Sequence, residues 1–185
     1  IMAENIVEYA EIYLAAVRAG VTASGINIRT HPDELTHCLR LCEAEALFFT
    51  DPNQTIVEEV RDDLPELEQY VKIGGEDCPD WARDYESFRT SGGPDPPGVE
   101  DTEEISNILF TSGTTGKPKA AMISHRAMVF RAVRLAEHLK LDREHAFLCW
   151  LPMFHCGGVE TMYAYLAEGA KVVMMPEMDI EEMYR

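Results

Sequence analysis

Short apolar runs alternate with segments whose apolar residues fall every three or four positions through most of the chain. That alternation of strand and helix leaves few foldings open. Ile6, Val7, Ala10, Tyr13, Leu14 and Val17 predict one buried face of a helix that Gly20 stops, and Val21 to Ile28 then reads as a short strand. His31-Pro32-Asp33-Glu34 suits a helix start, with Leu35, Leu39, Leu41 and Ala44 as its buried stripe. Ala46 to Thr50 reads as a buried strand, followed by a helix over about Thr55 to Leu64 and a strand at Tyr70 to Ile73. Ile105 to Phe110 and Lys119 to Ile123 predict a hairpin around a Ser/Thr/Gly-rich turn at 111–116. Ser124 is placed to cap a helix running to about Leu139, with Met128, Val129, Ala132, Leu135, Ala136 and Leu139 at helical spacing. Phe147 to Leu151, Gly158 to Leu166 and Lys171 to Met175 continue as strand, helix and strand. The fold class is therefore α/β, doubly wound, with mostly parallel sheets covered by helices on both faces. In such folds ligands bind in loops beyond the strand ends.

Arg89 to Glu104 concentrates glycine, proline and acid, and is expected as a linker or long surface loop. It divides the chain into a first β/α portion at 1–88, the loop at 89–104, and a portion at 105–185 that carries the Ser/Thr/Gly turn. Across the 185 residues, 33 Asp and Glu outweigh 16 Lys and Arg to give a formal charge of −17, and no Lys/Arg-rich block appears. A nucleic-acid footprint is missing, so any anionic ligand needs a local site that overrides the overall charge. The longest mainly apolar run, Ala146 to Phe154, has nine residues and includes Pro152. A transmembrane helix needs roughly 20, so none is expected. The N-terminus carries no secretory signal and enters an amphipathic segment almost at once, which reads as a cut end.

Five cysteines, at 38, 42, 78, 149 and 156, point to reduced thiols and a cytoplasmic setting. His37, Cys38 and Cys42, and separately Cys149, His155 and Cys156, lack the two close ligand couples of a structural zinc site, and buried thiols are the expected reading. The acidic run Glu100 to Glu104 reads as solvated linker rather than a metal site.

The chemistry concentrates in Thr111-Ser112-Gly113-Thr114-Thr115-Gly116-Lys117-Pro118-Lys119, which sets four hydroxyls, two glycines and two ammonium groups within nine residues. Glycines at 113 and 116 allow close backbone approach, so consecutive N–H groups can converge on phosphate oxygens while the hydroxyls add neutral donors and the lysines neutralise charge. Pro118 holds Lys119 at a fixed offset from the turn. The Walker-type loop fails to match, because Thr111 stands where its first glycine belongs and Pro118 where its metal-binding hydroxyl belongs. The dinucleotide fingerprint also fails, since position 111 is not glycine.

The string from Ile108 through Lys119, running on to Ser124-His125, resembles the signature of the adenylate-forming superfamily, which includes acyl-CoA synthetases, luciferases and peptide-synthetase adenylation domains. Asn5 to Asn27 is similar to the early part of that family's large N-terminal domain, and Leu151-Pro-Met-Phe-His-Cys-Gly-Gly158 to its second core motif. The resemblance implies a two-step reaction. A carboxylate attacks the α-phosphate of Mg2+-bound ATP to give an acyl-adenylate and pyrophosphate, and the thiol of CoA then displaces AMP. It assigns Thr111, Ser112, Gly113, Thr114, Thr115 and Gly116 to phosphate binding, Lys119 to the charge of the leaving group, and a weaker electrostatic role to Lys117. It places His155 beside the acyl carboxylate and α-phosphate as a positioning or gating group, and Met153, Phe154 and Gly157 along the acyl tunnel. The Pro-Met-Phe-His wording leans toward fatty-acyl or aryl-CoA synthetases. Ala120 departs from the family's usual glycine after Pro-Lys. The family's later motifs, including the small C-terminal domain's lysine, have no counterpart before Arg185, so a central fragment of the N-terminal domain is expected, inactive by itself. A reading from another class stays open: a catalytically silent nucleotide-binding fragment or interaction module.

Overall fold

The computed structural model describes residues 1–96, 98–111, 117–177 and 180–183. Helix α1 (Val7–Ala19) ends at Gly20, whose φ of +69° is left-handed and whose N–H meets the Ala16 and Val17 carbonyls. Its buried face differs from the expected stripe. Val7 and Leu14 are 61% and 42% exposed, while Tyr9 and Tyr13 are fully buried, their rings stacked 5.4 Å apart. Two aromatic rings bury more surface than the aliphatic residues beside them, so they set which face turns inward.

Strand β1 (Ala23–Gly25) is shorter than the expected 21–28. Asn27 Oδ1 accepts the Arg29 N–H and the Asn27 carbonyl accepts that of Thr30, so an Asx turn takes the chain out of the sheet. Helix α2 (Pro32–Leu41) starts on its proline and buries Leu35 and Leu39, but Leu41 lies 45% exposed on the opposite face. Strand β2 (Ala46–Thr50), a short 3₁₀ turn, helix α3 (Gln54–Val60), a second 3₁₀ turn and strand β3 (Gln69–Ile73) follow as expected in order. The two-residue strand β4 (Arg83–Asp84) and helix α4 (Tyr85–Thr90) were not anticipated. Asp84 caps α4 by accepting the Ser87 N–H, and the helix runs two residues into the expected linker.

Strands β5 (Ile105–Thr111) and β6 (Lys119–Ser124) form the expected antiparallel hairpin, and Ser124 caps α5 (His125–Leu139) by accepting the Ala127 N–H. Met128, Ala132 and Ala136 face the core, whereas Val129 and Leu139 are exposed. Strand β7 (Ala146–Cys149), helix α6 (Cys156–Ala167) and strand β8 (Lys171–Met174) complete a parallel crossover, and a short helix α7 covers Ile180–Met183. Arg131 of α5 reaches Glu160 of α6 at 2.5 Å, joining the two helices.

The strands sort into three sheets, β1-β5-β6, β2-β3-β4 and β7-β8. Apart from β5–β6, every strand pairing among the described residues is parallel. One core cluster joins Tyr9 and Tyr13 of α1, Val71 and Ile73 of β3, Leu109 of β5, and Met153, Val159 and Met162 around α6. A second lies under α2 and α3 around Leu35, Leu47, Phe49 and Val57. Among the described residues, no helix is long and apolar enough to cross a membrane.

The tightest approach between these layers is at Gly25. A Cβ there would lie 2.6 Å from the Phe154 Cα and 2.5 Å from the Tyr9 hydroxyl. The Phe154 backbone and the fully buried Tyr9 ring block the space together. Gly25→Ala is therefore expected to destabilise the protein by about 1–3 kcal/mol, read as a lower urea midpoint with an unchanged slope.

Candidate functional site

β5 runs parallel to β1, with Gly25 opposite Leu109, so the carboxyl end of β5 extends two residues, about 7 Å, beyond the end of β1. There the chain enters the bend that the sequence singles out. Ser112, Gly113, Thr114, Thr115 and Gly116 lie outside the described residues, while Thr111, Lys117, Pro118 and Lys119 flank them. Thr111 and Lys119 are cross-strand partners, and directly opposed residues in an antiparallel pair project from the same face. The Thr111 hydroxyl donates to the Lys119 carbonyl at 3.5 Å. Lys117 and Lys119 are both exposed. Ala120 is an ordinary strand residue opposite Phe110, so its methyl meets no conformational objection.

The second motif lies off the carboxyl end of β7. His155 is the N-cap of α6: its Nδ1 accepts the Gly157 N–H at 3.1 Å. An accepting Nδ1 in a neutral imidazole leaves the proton on Nε2, so the exposed ring offers a donor outward. Gly158 follows under the turn, where a Cβ would lie 2.4 Å from the Pro152 carbonyl oxygen. Met153 is fully buried in the core, and Phe154 closes on Gly25 of β1. Phe154 and His155 are thus brought beside β1, the neighbour of the strand that leads into the bend.

Two side chains near these motifs make contacts that the sequence does not reveal. Asn5 lies in front of α1, whose N-cap is Ile6 with no side-chain bond. The Asn5 carboxamide instead crosses to the end of β7 and the turn after it, donating to the Cys149 and Leu151 carbonyls at 2.9 Å each and accepting the Met153 N–H at 3.0 Å. His37 of α2 places Nε2 3.1 Å from the Pro118 carbonyl, bracing the limb of the hairpin that returns from the bend. Asp33, Glu34, Arg40 and Lys117 line the cleft beside it. No local spacing announces either contact, because each joins residues 81 or more positions apart.

The cysteines are all free thiols, and burial pushes the Cys38 thiol up to about 12 and the Cys149 thiol up to about 11. Among the described residues, no three His, Cys, Asp or Glu side chains gather as a metal site. The hydroxyls of Tyr9, Tyr13 and Tyr163 are buried behind the second motif, and burial raises all three well above the usual tyrosine range.

Residues 1–184 match the family model described as AMP-binding enzyme. The chain belongs to that family. It is 29% identical over 182 residues to a medium-chain-fatty-acid–CoA ligase of Ectopseudomonas oleovorans, covering 94% of this chain and 33% of the relative. With a long-chain-fatty-acid–CoA ligase of Thermus thermophilus it shares 31% identity over 180 residues, covering 95% of this chain and 32% of the relative. The solved structure of a putative long-chain-fatty-acid CoA ligase from Rhodopseudomonas palustris superposes with a TM-score of 0.88 at 20% identity, covering 98% of this chain and 45% of that one, which establishes the shared fold. The chain thus spans about a third of the length of the curated relatives it matches.

In this AMP-binding enzyme chain His155 combines a capping bond through Nδ1 with an exposed ring whose Nε2 lies 3.9 Å from the Cys156 thiol, and the capping role can be tested separately. His155→Ala is expected to cost about 1 kcal/mol through loss of the cap, whereas His155→Asn keeps a capping oxygen and is expected to hold the thermal midpoint near that of the unsubstituted protein. Differential scanning calorimetry of the two variants checks this.

Proposed function

We propose that these residues are the central part of an ATP-dependent acyl-CoA ligase that activates a fatty or aryl carboxylic acid through an acyl-adenylate and transfers the acyl group to CoA. The observation that carries the reading is the 111–119 bend, closed by the Thr111–Lys119 register at the carboxyl end of β5, in a chain matched to the AMP-binding enzyme family from end to end. The names of its relatives as fatty-acid–CoA ligases support the substrate class.

In this reading a carboxylate oxygen attacks the α-phosphorus of ATP and the bond to the pyrophosphate oxygen breaks. Negative charge then grows on the departing pyrophosphate, so donors aimed there stabilise the transition state more than the bound substrate. Backbone N–H groups and hydroxyls of residues 111–116 grip the phosphates, the Lys119 ammonium neutralises the growing charge, and Lys117 adds a longer-range attraction that an acidic chain otherwise lacks. His155 Nε2–H donates to the carboxylate or an α-phosphate oxygen and holds the two reactants in line. Mg2+ travels with the phosphates of the nucleotide, offsetting their charge. The CoA sulfur then attacks the acyl carbon and AMP leaves. Free thiols throughout are in keeping with a cytoplasmic site of action. The segment at 89–104 serves as a connection between the portions at 1–88 and 105–185.

The second reading, a catalytically silent nucleotide-binding piece, is favoured by the chain's coverage of only about a third of its relatives. Carboxylate-dependent exchange of labelled pyrophosphate into ATP separates the two. Signal from a full-length version and none from residues 1–185 places the activity in the longer protein, and silence from both supports the second reading. In the active version Lys119→Ala is expected to slow exchange by about 10²-fold or more, and an unchanged rate would remove Lys119 from the mechanism.

A further inference from the structure

We infer that Asn5 is a positioning residue for the carboxylate half-site, holding the turn from Leu151 to His155 in the one arrangement that aims the imidazole; this rests on the ligase reading above. Asn5 is 5% exposed. A carboxamide offers two N–H donors and a carbonyl acceptor, and both ends are engaged by backbone groups between 149 and 153: Cys149 O, Leu151 O and Met153 N–H. Cys149 O also accepts the Met175 N–H at 3.1 Å, but the Leu151 carbonyl and the Met153 N–H lie in a turn between a strand end and a helix cap that repeats no regular structure, so they depend on the carboxamide. Two residues beyond Met153 comes His155, whose N–H donates to the Pro152 carbonyl and whose ring caps α6.

The segment that presents Asn5 is itself anchored elsewhere. Met2 exchanges backbone hydrogen bonds with β2 through the Phe48 carbonyl and the Thr50 N–H, Asn53 Nδ2 donates to the Met2 carbonyl, and the Thr50 hydroxyl donates to Glu4. Residues 2–5 therefore act as a strut from the β2 sheet to the second motif. Remove the carboxamide and the Met153 N–H loses its partner, the Leu151 carbonyl keeps only the Cys149 thiol at 3.6 Å, and the Cys149 carbonyl keeps only the Met175 N–H, leaving the turn free to relax. Among the described residues of the hairpin carried by β5 and β6, none bonds to Asn5. The expected defect is consequently in carboxylate handling rather than in ATP binding.

In a full-length version, Asn5→Ala is expected to raise the KM for the carboxylate by about tenfold or more while the KM for ATP stays within about twofold, measured by pyrophosphate exchange with whichever of octanoate, palmitate or benzoate drives the unsubstituted enzyme. Hydrogen exchange at the Met153 amide is expected to accelerate about tenfold or more in the same variant. Asn5→Asp supplies a second arm. When ionised it faces the Cys149 and Leu151 carbonyls with acceptors only, and when protonated it regains one donor. Its carboxylate KM is therefore expected to worsen as pH rises from about 6 to about 9, relative to Asn5→Ala, with circular dichroism confirming a folded protein at each pH. An equal rise in both KM values, or an unchanged Met153 amide, overturns the inference. Absence of exchange from the unsubstituted full-length protein sinks the ligase reading instead, and the Met153 amide still decides whether Asn5 holds the turn.

Discussion

Parallel pairing of β1 with β5, sealed where Gly25 meets Phe154, is the constraint on which the rest of the arrangement depends. Strands that run the same way deliver their carboxyl ends to the same edge, and loops leaving that edge are free to carry chemistry because the sheet supplies the stability. Here the edge receives the hydroxyl-rich bend from β5 and the Phe154–His155 turn that leads into α6. A side chain at position 25 would push the second motif off β1, so the absence of a Cβ there is what lets the two motifs share an edge.

Charge gives the same division of labour at another scale. A chain with a formal charge of −17 repels polyphosphate at long range, so any phosphate site must be local and donor-rich. The sequence at 111–116 carries four hydroxyl residues and two glycines, and the described Lys117 and Lys119 beside it are exposed. Braces hold both motifs from the rest of the fold: His37 from α2 on the Pro118 carbonyl, and Asn5 from the first residues on the turn after β7. Each uses a side chain to satisfy a backbone group in an irregular segment, where neither helix nor sheet can do so.

Features set by neighbours in the chain were legible in the sequence. The β5–β6 hairpin, the Ser124 cap, the Gly20 stop and the proline-led start of α2 depend on residues a few positions apart, and the structure contains all of them. On α1 the expected stripe includes Tyr13 but omits Tyr9, because a tyrosine counts as half polar in a periodicity, and the two rings stack in the core while Val7 and Leu14 face outward. Strand β4 and helix α4 are too short to produce a periodic signal. Within the candidate site, the order of residues 111–119 and 151–158 announced both motifs, but the part of Asn5 could not be read, since its partners lie 144 to 148 positions away. His155 shows the converse: the motif drew attention to its chemistry and hid its service as a helix cap.

The central claim is that the bend at the carboxyl end of β5 holds the triphosphate of the nucleotide. A crystal structure of a full-length version with a magnesium-bound, non-hydrolysable ATP analogue tests it most directly. The account predicts β- and γ-phosphate oxygens about 3 Å from backbone nitrogens and hydroxyls within 112–116, with the Lys119 ammonium beside them. A triphosphate bound elsewhere, with that bend solvated and Lys119 pointing to water, would contradict it.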